Sequence, residues 1–566
     1  MVFTSPAWVP KLPFSPPDSI AIAEFLNNDK YGRNPISRSR NPYTCGLSGK
    51  TFTTHEVLQR EEYLSRAIAQ RLGYVGLEGT EWDRVVCLFS LNTVDYIPLA
   101  HAIHRISGIV TPASAAYSAA ELEHQLRSSG ANALFTCIPL LPTALAAARG
   151  VGIPDTRIFI LPLTGFEDHV PYKTVDDLVE EGRALLELPP LNWSAGEGAR
   201  RVAYKGVLIS HHNVISCIMM LELFNQAGRK ATGAETRVGL GLLPFSHIFG
   251  LVVCGLYTLR NGDELIVLPR FQLKSLLGAI QRFHIEQLAV VPPIIIEILR
   301  NRELCSSYDL SSVRVLGSGA APLGEETIEE IHKVYPTWSL CQGYGLTETS
   351  SGVTVTSELD TMPGSSGSLL PGVRAKIIDA QGNEVMDYEK PGELLVQGPL
   401  VVLGYLNDVR ATASSFVHHD DGRWMRTGDE VLVRKSPRGN DHFVVTDRIK
   451  ELIKVNGHQV APAELEAHLL THRFVADCAV IQVPDARAGE APKAFVVKTA
   501  DAGNESDREV AFHINKHVQD HKARHKWLKG GIEFIDEIPK SSSGKILRRI
   551  LRDREKKVKM AQRAKL

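Results

Sequence analysis

The chain has 566 residues, 44% of them hydrophobic and 22% charged, with a net charge of −1. That length exceeds the roughly 250–300 residues one hydrophobic core supports, so at least two domains are expected. The near-zero charge provides no global field for nucleic acid or an acidic surface, and no apolar run approaches the ~20 residues that span a bilayer.

In chain order, the N-terminal stretch is interrupted by Pro6, Pro10 and Pro13 and lacks a continuous hydrophobic signal segment, so secretion is not expected. Val85-Val86-Cys87-Leu88-Phe89 is one of several apolar runs that carry cysteines. The eight cysteines (45, 87, 137, 217, 254, 305, 341 and 478) form no C-x-x-C pair and read as buried thiols of a reducing compartment. Ser118 and Glu121 make a capping-box pattern that opens a helix, with Leu122 and Leu126 on one face. Ala133–Cys137 and Ile158–Leu161 read as strands, as do Glu264–Leu268 and Leu288–Val291 further on. A helix is expected to begin near Gly324-Glu325-Glu326.

After about residue 360 the strands become shorter and are separated by Pro and Gly, as in Pro391-Gly392-Glu393-Leu394-Leu395-Val396, which predicts a β-rich subdomain. Beyond Asp447, a helix around Ala463–Glu466 and strands at Cys478–Ile481 and Ala494–Val497 predict a small α+β domain over 448–566, with the large domain over 1–447. The expected fold class is α/β: layered α/β subdomains and a β-rich subdomain, followed by a small C-terminal α+β domain.

Four motifs carry chemistry. Gln342-Gly343-Tyr344-Gly345-Leu346-Thr347-Glu348 places an aromatic face, a hydroxyl and a carboxylate within five residues of a turn-prone Gly-x-Gly. Arg426-Thr427-Gly428-Asp429 follows, then Asp447-Arg448-Ile449-Lys450-Glu451-Leu452-Ile453-Lys454-Val455-Asn456-Gly457, then Pro539-Lys540-Ser541-Ser542-Ser543-Gly544-Lys545.

Together, from about Phe52 to Arg549, these resemble the adenylate-forming superfamily of acyl- and aryl-CoA ligases, peptide-synthetase adenylation domains and beetle luciferase. The branch most resembled is that of 4-coumarate and phenylacetate CoA ligases, particularly fungal members. The resemblance implies that Tyr344 stacks on adenine, Thr347 bonds a phosphate oxygen, and Glu348 helps hold Mg2+, a hard cation that prefers oxygen ligands. Gly319-Ala320-Ala321-Pro322-Leu323 is similar to the opposite wall of the adenine slot. Asp429 would accept from the ribose hydroxyls, with Arg448 as a second ribose and phosphate contact.

Asp447 through Lys450 resembles the hinge about which the small domain swings between two poses. Lys545 is expected to enter for adenylation and Lys454 for thioester formation, with Gly457 giving the pantetheine arm of coenzyme A close backbone approach. His247, in Leu243-Pro244-Phe245-Ser246-His247-Ile248-Phe249-Gly250, matches the mouth of the acyl pocket, where it would orient the substrate. Phe249, Val252, Ile294, Gly317 and Ser350 are the pocket candidates, suited to an aromatic or medium-length apolar acid.

One family feature is missing. A Ser/Thr/Gly-rich phosphate loop ending in Pro-Lys-Gly ordinarily cradles the β- and γ-phosphates of ATP. Here Arg201-Val202-Ala203 runs directly into Tyr204-Lys205-Gly206-Val207, so the strand before the loop and nearly all of the loop read as deleted between Ala203 and Tyr204. Only Lys205 remains as a phosphate contact. Ser194-Ala195-Gly196-Glu197-Gly198 is a poor substitute, because Glu197 would repel a triphosphate. Adenylation by the chain as written is expected to be nearly abolished, and restored with the missing segment.

The sequence therefore predicts an ATP- and Mg2+-dependent acid–thiol ligase using coenzyme A. The alternatives are a luciferase-like oxygenase, a carrier-protein-loading adenylating enzyme, and a non-catalytic nucleotide or acyl binder. Ala564-Lys565-Leu566 resembles a peroxisomal address, which makes the peroxisomal import receptor an expected partner.

Overall fold

The computed structural model describes residues 1–74, 79–485, 487–503, 505–541 and 544–563. Ala564-Lys565-Leu566 and residues 542 and 543 of the lysine motif lie outside them.

Two mostly parallel sheets form the body of the large domain. One runs, in spatial order, Gly404–Tyr405, Val207–Ser210, Val202–Tyr204, Ile109–Ala113, Val85–Phe89, Ala133–Thr136, Ile158–Ile160. All five residues of Val85–Phe89 are buried, as expected for a central parallel strand covered by helices on both faces. The helix Ala119–Ser129 starts at Ser118, whose side chain accepts from the Glu121 backbone N–H while Glu121 reaches back, and it ends at Gly130 in the left-handed region.

The other sheet has nine strands, in the order Ser368–Leu369, Thr354–Val355, Ser339–Tyr344, Val315–Ser318, Gln287–Val290, Val238–Gly241, Glu264–Val267, Tyr43–Cys45, Thr51–Phe52. The helix His211–Ala231 shares a core with residues of both sheets through Val214, Ile215, Ile218 and Leu221.

An antiparallel sheet of Arg374–Ile378, Gly392–Gln397, Phe416–His419, Gly422–Lys435 and Asp441–Arg448 occupies the stretch read as β-rich. Its last strand ends at Arg448. The next strand, Ile453–Val455, already belongs to another sheet, with His458–Val460, Val475–Asp485, Gly489–Lys498 and Ile532–Phe534. That sheet and the helices Pro462–Leu470 and Asp507–His521 enclose a core of their own, including Ile453, Leu465, Val480, Val496 and Ile514.

One expectation is corrected. The strand read as deleted is present: Val202–Tyr204 is fully buried, pairs in parallel with Ile109–Ala113 through Val110 and Tyr204, and pairs antiparallel with Val207–Ser210. The β-branched and aromatic side chains of Val202 and Tyr204 suit a buried strand. The loop alone is replaced, by the two-residue turn Lys205-Gly206, with Gly206 at φ 126°.

All eight cysteines are free, seven buried and Cys45 half-buried. Among the described residues no helix is long and apolar enough to cross a membrane.

Candidate active site

The strands Val315–Ser318 and Ser339–Tyr344 are parallel neighbours. Their C-terminal ends open into a cavity of about 760 Å³, roofed by the small domain. Ligands of open α/β sheets lie at such strand ends.

Of the seventeen residues expected to act in catalysis or to hold ATP, metal or coenzyme A, fourteen line this cavity: His247, Gly319, Ala320, Ala321, Pro322, Gln342, Gly343, Tyr344, Gly345, Thr347, Glu348, Asp429, Arg448 and Lys545. Lys205, Lys454 and Gly457 do not.

Backbone geometry makes the two walls. Ala320 adopts φ 68°, a left-handed conformation that L residues rarely take. A Cβ on Gly319 would stand 3.1 Å from the Phe249 ring and 3.4 Å from the Gly343 carbonyl. Gly345 is packed tighter still, since a Cβ there would meet the Ser351 carbonyl oxygen at 1.4 Å. The Gln342 side chain ties the walls together, accepting from the Leu323 N–H (3.2 Å) and donating to the Ser365 carbonyl (3.2 Å). Its role here is therefore architectural rather than one of free hydrogen-bonding capacity.

Charge converges on Asp429. Tyr344 donates to its Oδ2 at 2.7 Å, and the Arg448 guanidinium lies 3.4 Å from its Oδ1 across the ladder that pairs Asp429 with Arg448. Burial raises the Asp429 carboxyl above its ordinary value, opposed by the Tyr344 bond and by the Arg448 and Lys545 charges. Burial also lifts Tyr344 well above the usual phenol range.

Lys545 reaches this cluster with its own carbonyl accepting from the Ser541 N–H at 2.8 Å. Gly544 lies against the large domain, where a Cβ would stand 3.2 Å from Val291. The surrounding protein pushes the Lys545 ammonium down to about 8, through desolvation first and then the like charge of Arg448, while Asp429 pulls the other way. Burial and the Lys545 charge lower His247, whose Nδ1 accepts from the Phe249 N–H at 3.4 Å.

Glu348 accepts from the Tyr405 hydroxyl at 2.9 Å through Oε1, leaving Oε2 without a hydrogen bond among the described residues. With the Thr347 hydroxyl alongside, these are hard oxygen donors of the type Mg2+ takes.

The remaining three predicted residues stand elsewhere. The Lys205 Nζ bonds the Ser129 carbonyl and lies 4.6 Å from the centre of the Trp82 ring. Its backbone sits in the strand turn, outside the cavity lining. Lys454 and Gly457 occupy an exposed hairpin, where Asn456 (φ 49°) and Gly457 (φ 80°) form the turn that an Asn-Gly pair favours. Among the pocket candidates, Phe249 and Gly317 line the cavity. Val252, Ile294 and Ser350 are buried in packing outside it, Ser350 bonding the Leu400 carbonyl at 2.9 Å.

Ser194-Ala195-Gly196-Glu197-Gly198 is a helix start packed on the N-terminal segment. Ser194 N–H donates to Glu197 at 2.6 Å, and Gly198 N–H to the Asp18 carbonyl at 2.6 Å. It takes no part in the cavity.

Two family models match the chain: "AMP-binding enzyme" over residues 40–183 and 203–406, and "AMP-binding enzyme C-terminal domain" over 464–545. The chain belongs to the AMP-binding enzyme family.

Full-length relatives of this AMP-binding enzyme include acyl-CoA ligase AKT1 of Alternaria alternata, 38% identical, with 98% of this chain aligned to 97% of the relative. Acyl-CoA ligase easD of Emericella nidulans is 36% identical over 98% of this chain and 100% of its own length. Among solved structures, the anthranilate CoA ligase AuaEII in complex with anthranoyl-AMP superposes with a TM-score of 0.78 at 21% identity, covering 95% of this chain and 97% of that one. ATP-bound MatB from Rhodopseudomonas palustris gives 0.76 at 23% identity, covering 95% and 99%. These structural likenesses establish the fold.

Proposed function

We propose that the AMP-binding enzyme is an ATP- and Mg2+-dependent acyl-CoA ligase. The observation that carries this reading is the meeting of Lys545, from the small domain, with Asp429, Tyr344 and His247 of the large domain and with Arg448 at the junction of the two in one cavity. Full-length relatives named acyl-CoA ligases support it.

In this reading the AMP moiety lies between Gly319–Pro322 and Gly343–Gly345, with the ribose hydroxyls on Asp429. The substrate carboxylate attacks the α-phosphate, forming an acyl-adenylate and releasing pyrophosphate. Lys545 places positive charge where the two anionic reactants meet, so that their repulsion is offset as the bond forms. With Nδ1 accepting from Phe249, the neutral His247 ring has Nε2–H as a donor that can orient the carboxylate. Thr347 and Glu348 would hold Mg2+, which neutralises phosphate charge when bound.

For the second step the small domain turns about Asp447–Lys450. The exposed Lys454–Gly457 hairpin then replaces Lys545, and the coenzyme A thiolate displaces AMP.

The Lys205-Gly206 turn bears on the rate of the first step. Each donor lost from the pyrophosphate cradle corresponds to about 2.7–4 kcal/mol of transition-state stabilisation in comparable settings. This favours a second reading alongside the first: a chain that still holds acyl-adenylate but forms it slowly. Incubation with an aryl, phenylacetic and fatty acid panel, ATP-Mg2+ and coenzyme A, with pyrophosphate and thioester measured separately, tests both. Thioester made only from supplied acyl-adenylate selects the second reading. No thioester by either route rejects the ligase reading.

Ala564-Lys565-Leu566 supports peroxisomal import. A fluorescent fusion that stays peroxisomal after deletion of these three residues would refute that assignment.

A further inference from the structure

The nucleotide cavity continues downward as a channel whose walls can be read row by row. On the sheet side, parallel registry places Ala289, Gly317 and Cys341 in one row, and Gln287 and Val315 in the row below. On the helix side, Leu221, Asn225 and Arg229 descend four residues apart along His211–Ala231, facing Phe249, Val253 and Tyr257. From Gly319 down to Val315 the channel runs four strand residues, roughly 13 Å. That accommodates an extended chain of roughly ten bonded atoms.

The upper walls are kept open by glycine. A Cβ on Gly317 would find nothing nearer than 3.5 Å, and one on Gly343 nothing nearer than 3.6 Å, so any larger side chain at either position would project into the channel.

The floor is polar. Arg237 binds Glu358 through both guanidinium ends, at 2.9 and 3.1 Å, and Arg229 binds Asp263 at 3.0 and 2.7 Å. Glu358 can lie this close to the helix because position 228 is glycine, where a Cβ would stand 3.1 Å from Oε1. Asn225 and Tyr257 line the channel at the same level. The Asn225 amide acts on the Tyr257 hydroxyl closely enough to oppose the upward shift that burial gives the phenol, and each group retains capacity for a ligand atom.

We propose that the acyl channel ends in a polar subsite, made by Asn225, Tyr257 and the Arg237–Glu358 pair, that takes a neutral hydroxyl or ketone at the far end of a medium-length acid. This rests on the acyl-CoA ligase reading of the cavity. A methyl-ended chain would strip water from these groups without replacing its hydrogen bonds, which is unfavourable. A carboxylate-ended chain would find both arginines already paired and would face the Glu358 carboxylate. A neutral oxygen meets neither difficulty, because the amide and the phenol can each donate or accept.

The test uses the full chain and a series of non-hydrolysable acyl-sulfamoyl adenosines. These stand in for the acyl-adenylate and bypass pyrophosphate chemistry altogether. Their acyl groups match in length and differ only at the far end: methyl, hydroxyl, ketone or carboxylate. Isothermal titration is expected to show the hydroxyl and ketone members binding roughly ten- to a hundred-fold tighter than the methyl member. Asn225→Leu and Tyr257→Phe should each shrink that ratio toward one. Gly317→Val should lower the affinity of the long-chain series relative to an acetyl member.

Equal or tighter binding of the methyl member overturns the polar subsite, and tighter binding of the carboxylate member overturns its neutral character. If no member of the series binds, the acyl-adenylate reading itself fails, and the subsite with it. The wild-type series decides between these outcomes even where a variant does not fold.

Discussion

On the proposed mechanism, the depressed ammonium of Lys545 is expected to make the first half-reaction sensitive to alkaline pH. Its value of about 8 lies well below the ordinary lysine value of 10.5, because the side chain is desolvated and faces Arg448. The sign follows directly: the charged form is present below pH 8 and is lost as pH rises through 8. In the free enzyme the protonated fraction is then about 0.9 at pH 7 and about 0.1 at pH 9. Because kcat/KM reports groups of the free enzyme, its value for pyrophosphate release should fall about tenfold over that interval.

Other groups in the cavity do not produce the same limb. His247 is pushed below its ordinary value, away from pH 8, Tyr344 is held well above the phenol range, and the Cys341 thiol is pushed up to about 12. The assay is pyrophosphate release from pH 6.5 to 10 at subsaturating acid, alongside Lys545→Arg, whose guanidinium keeps its charge. The variant should be slower but without the limb near pH 8. A wild-type profile flat to pH 10, or an unchanged limb in Lys545→Arg, would refute the assignment.

The other predictions are briefer. Lys545→Ala should slow acyl-adenylate formation by about 10²–10³-fold, the range for losing one aligned transition-state donor. It should spare thioester formation from supplied acyl-adenylate, while Lys454→Ala should do the reverse, as rapid-quench measurement of the two half-reactions would reveal. Gly345→Ala forces a Cβ to within 1.4 Å of the Ser351 carbonyl, and should cost about 1–3 kcal/mol in urea unfolding together with ATP affinity. Inserting a Ser/Thr/Gly-rich loop at the Tyr204–Lys205 junction should raise pyrophosphate release by at least about a hundredfold; no gain would mean the short turn is not what limits the step.

The nucleotide half of the site was legible in the sequence because its parts are local. Tyr344, Thr347 and Glu348 sit within five residues on one strand-to-turn segment, and Asp429 and Arg448 are direct partners across one hairpin ladder. The channel floor was not legible. Asn225, Arg237, Tyr257 and Glu358 come from different elements and meet only once the strands of the nine-stranded sheet are in register. A trace of it was present: Leu221, Asn225 and Arg229 fall four apart, placing an amide and a guanidinium on the same face of one helix. Val252 was misplaced because Phe249–Leu256 is a π-helix. Its i→i+5 bonding widens the turn, putting Phe249, Val253 and Tyr257 along the channel and Val252 in the core. The strand Val202–Tyr204 was missed because the absent loop drew the deletion across it, although its residues are strand formers.

Lys205 shows why a motif cannot be transferred by its last letters. A lysine at the end of a phosphate loop owes its position to the loop's backbone, which carries it over the nucleotide. With that backbone reduced to a two-residue turn, the same lysine bonds the Ser129 carbonyl and stacks over Trp82. The cavity forms without the loop: Gln342 holds its two glycine-rich walls, the ladder holds Asp429 against Arg448, and Gly544 packs on Val291. On the proposed reading, recognition of the adenylate and stabilisation of the departing pyrophosphate are therefore structurally separable in this chain. That separation is why the two half-reactions, measured independently, are more informative than overall turnover.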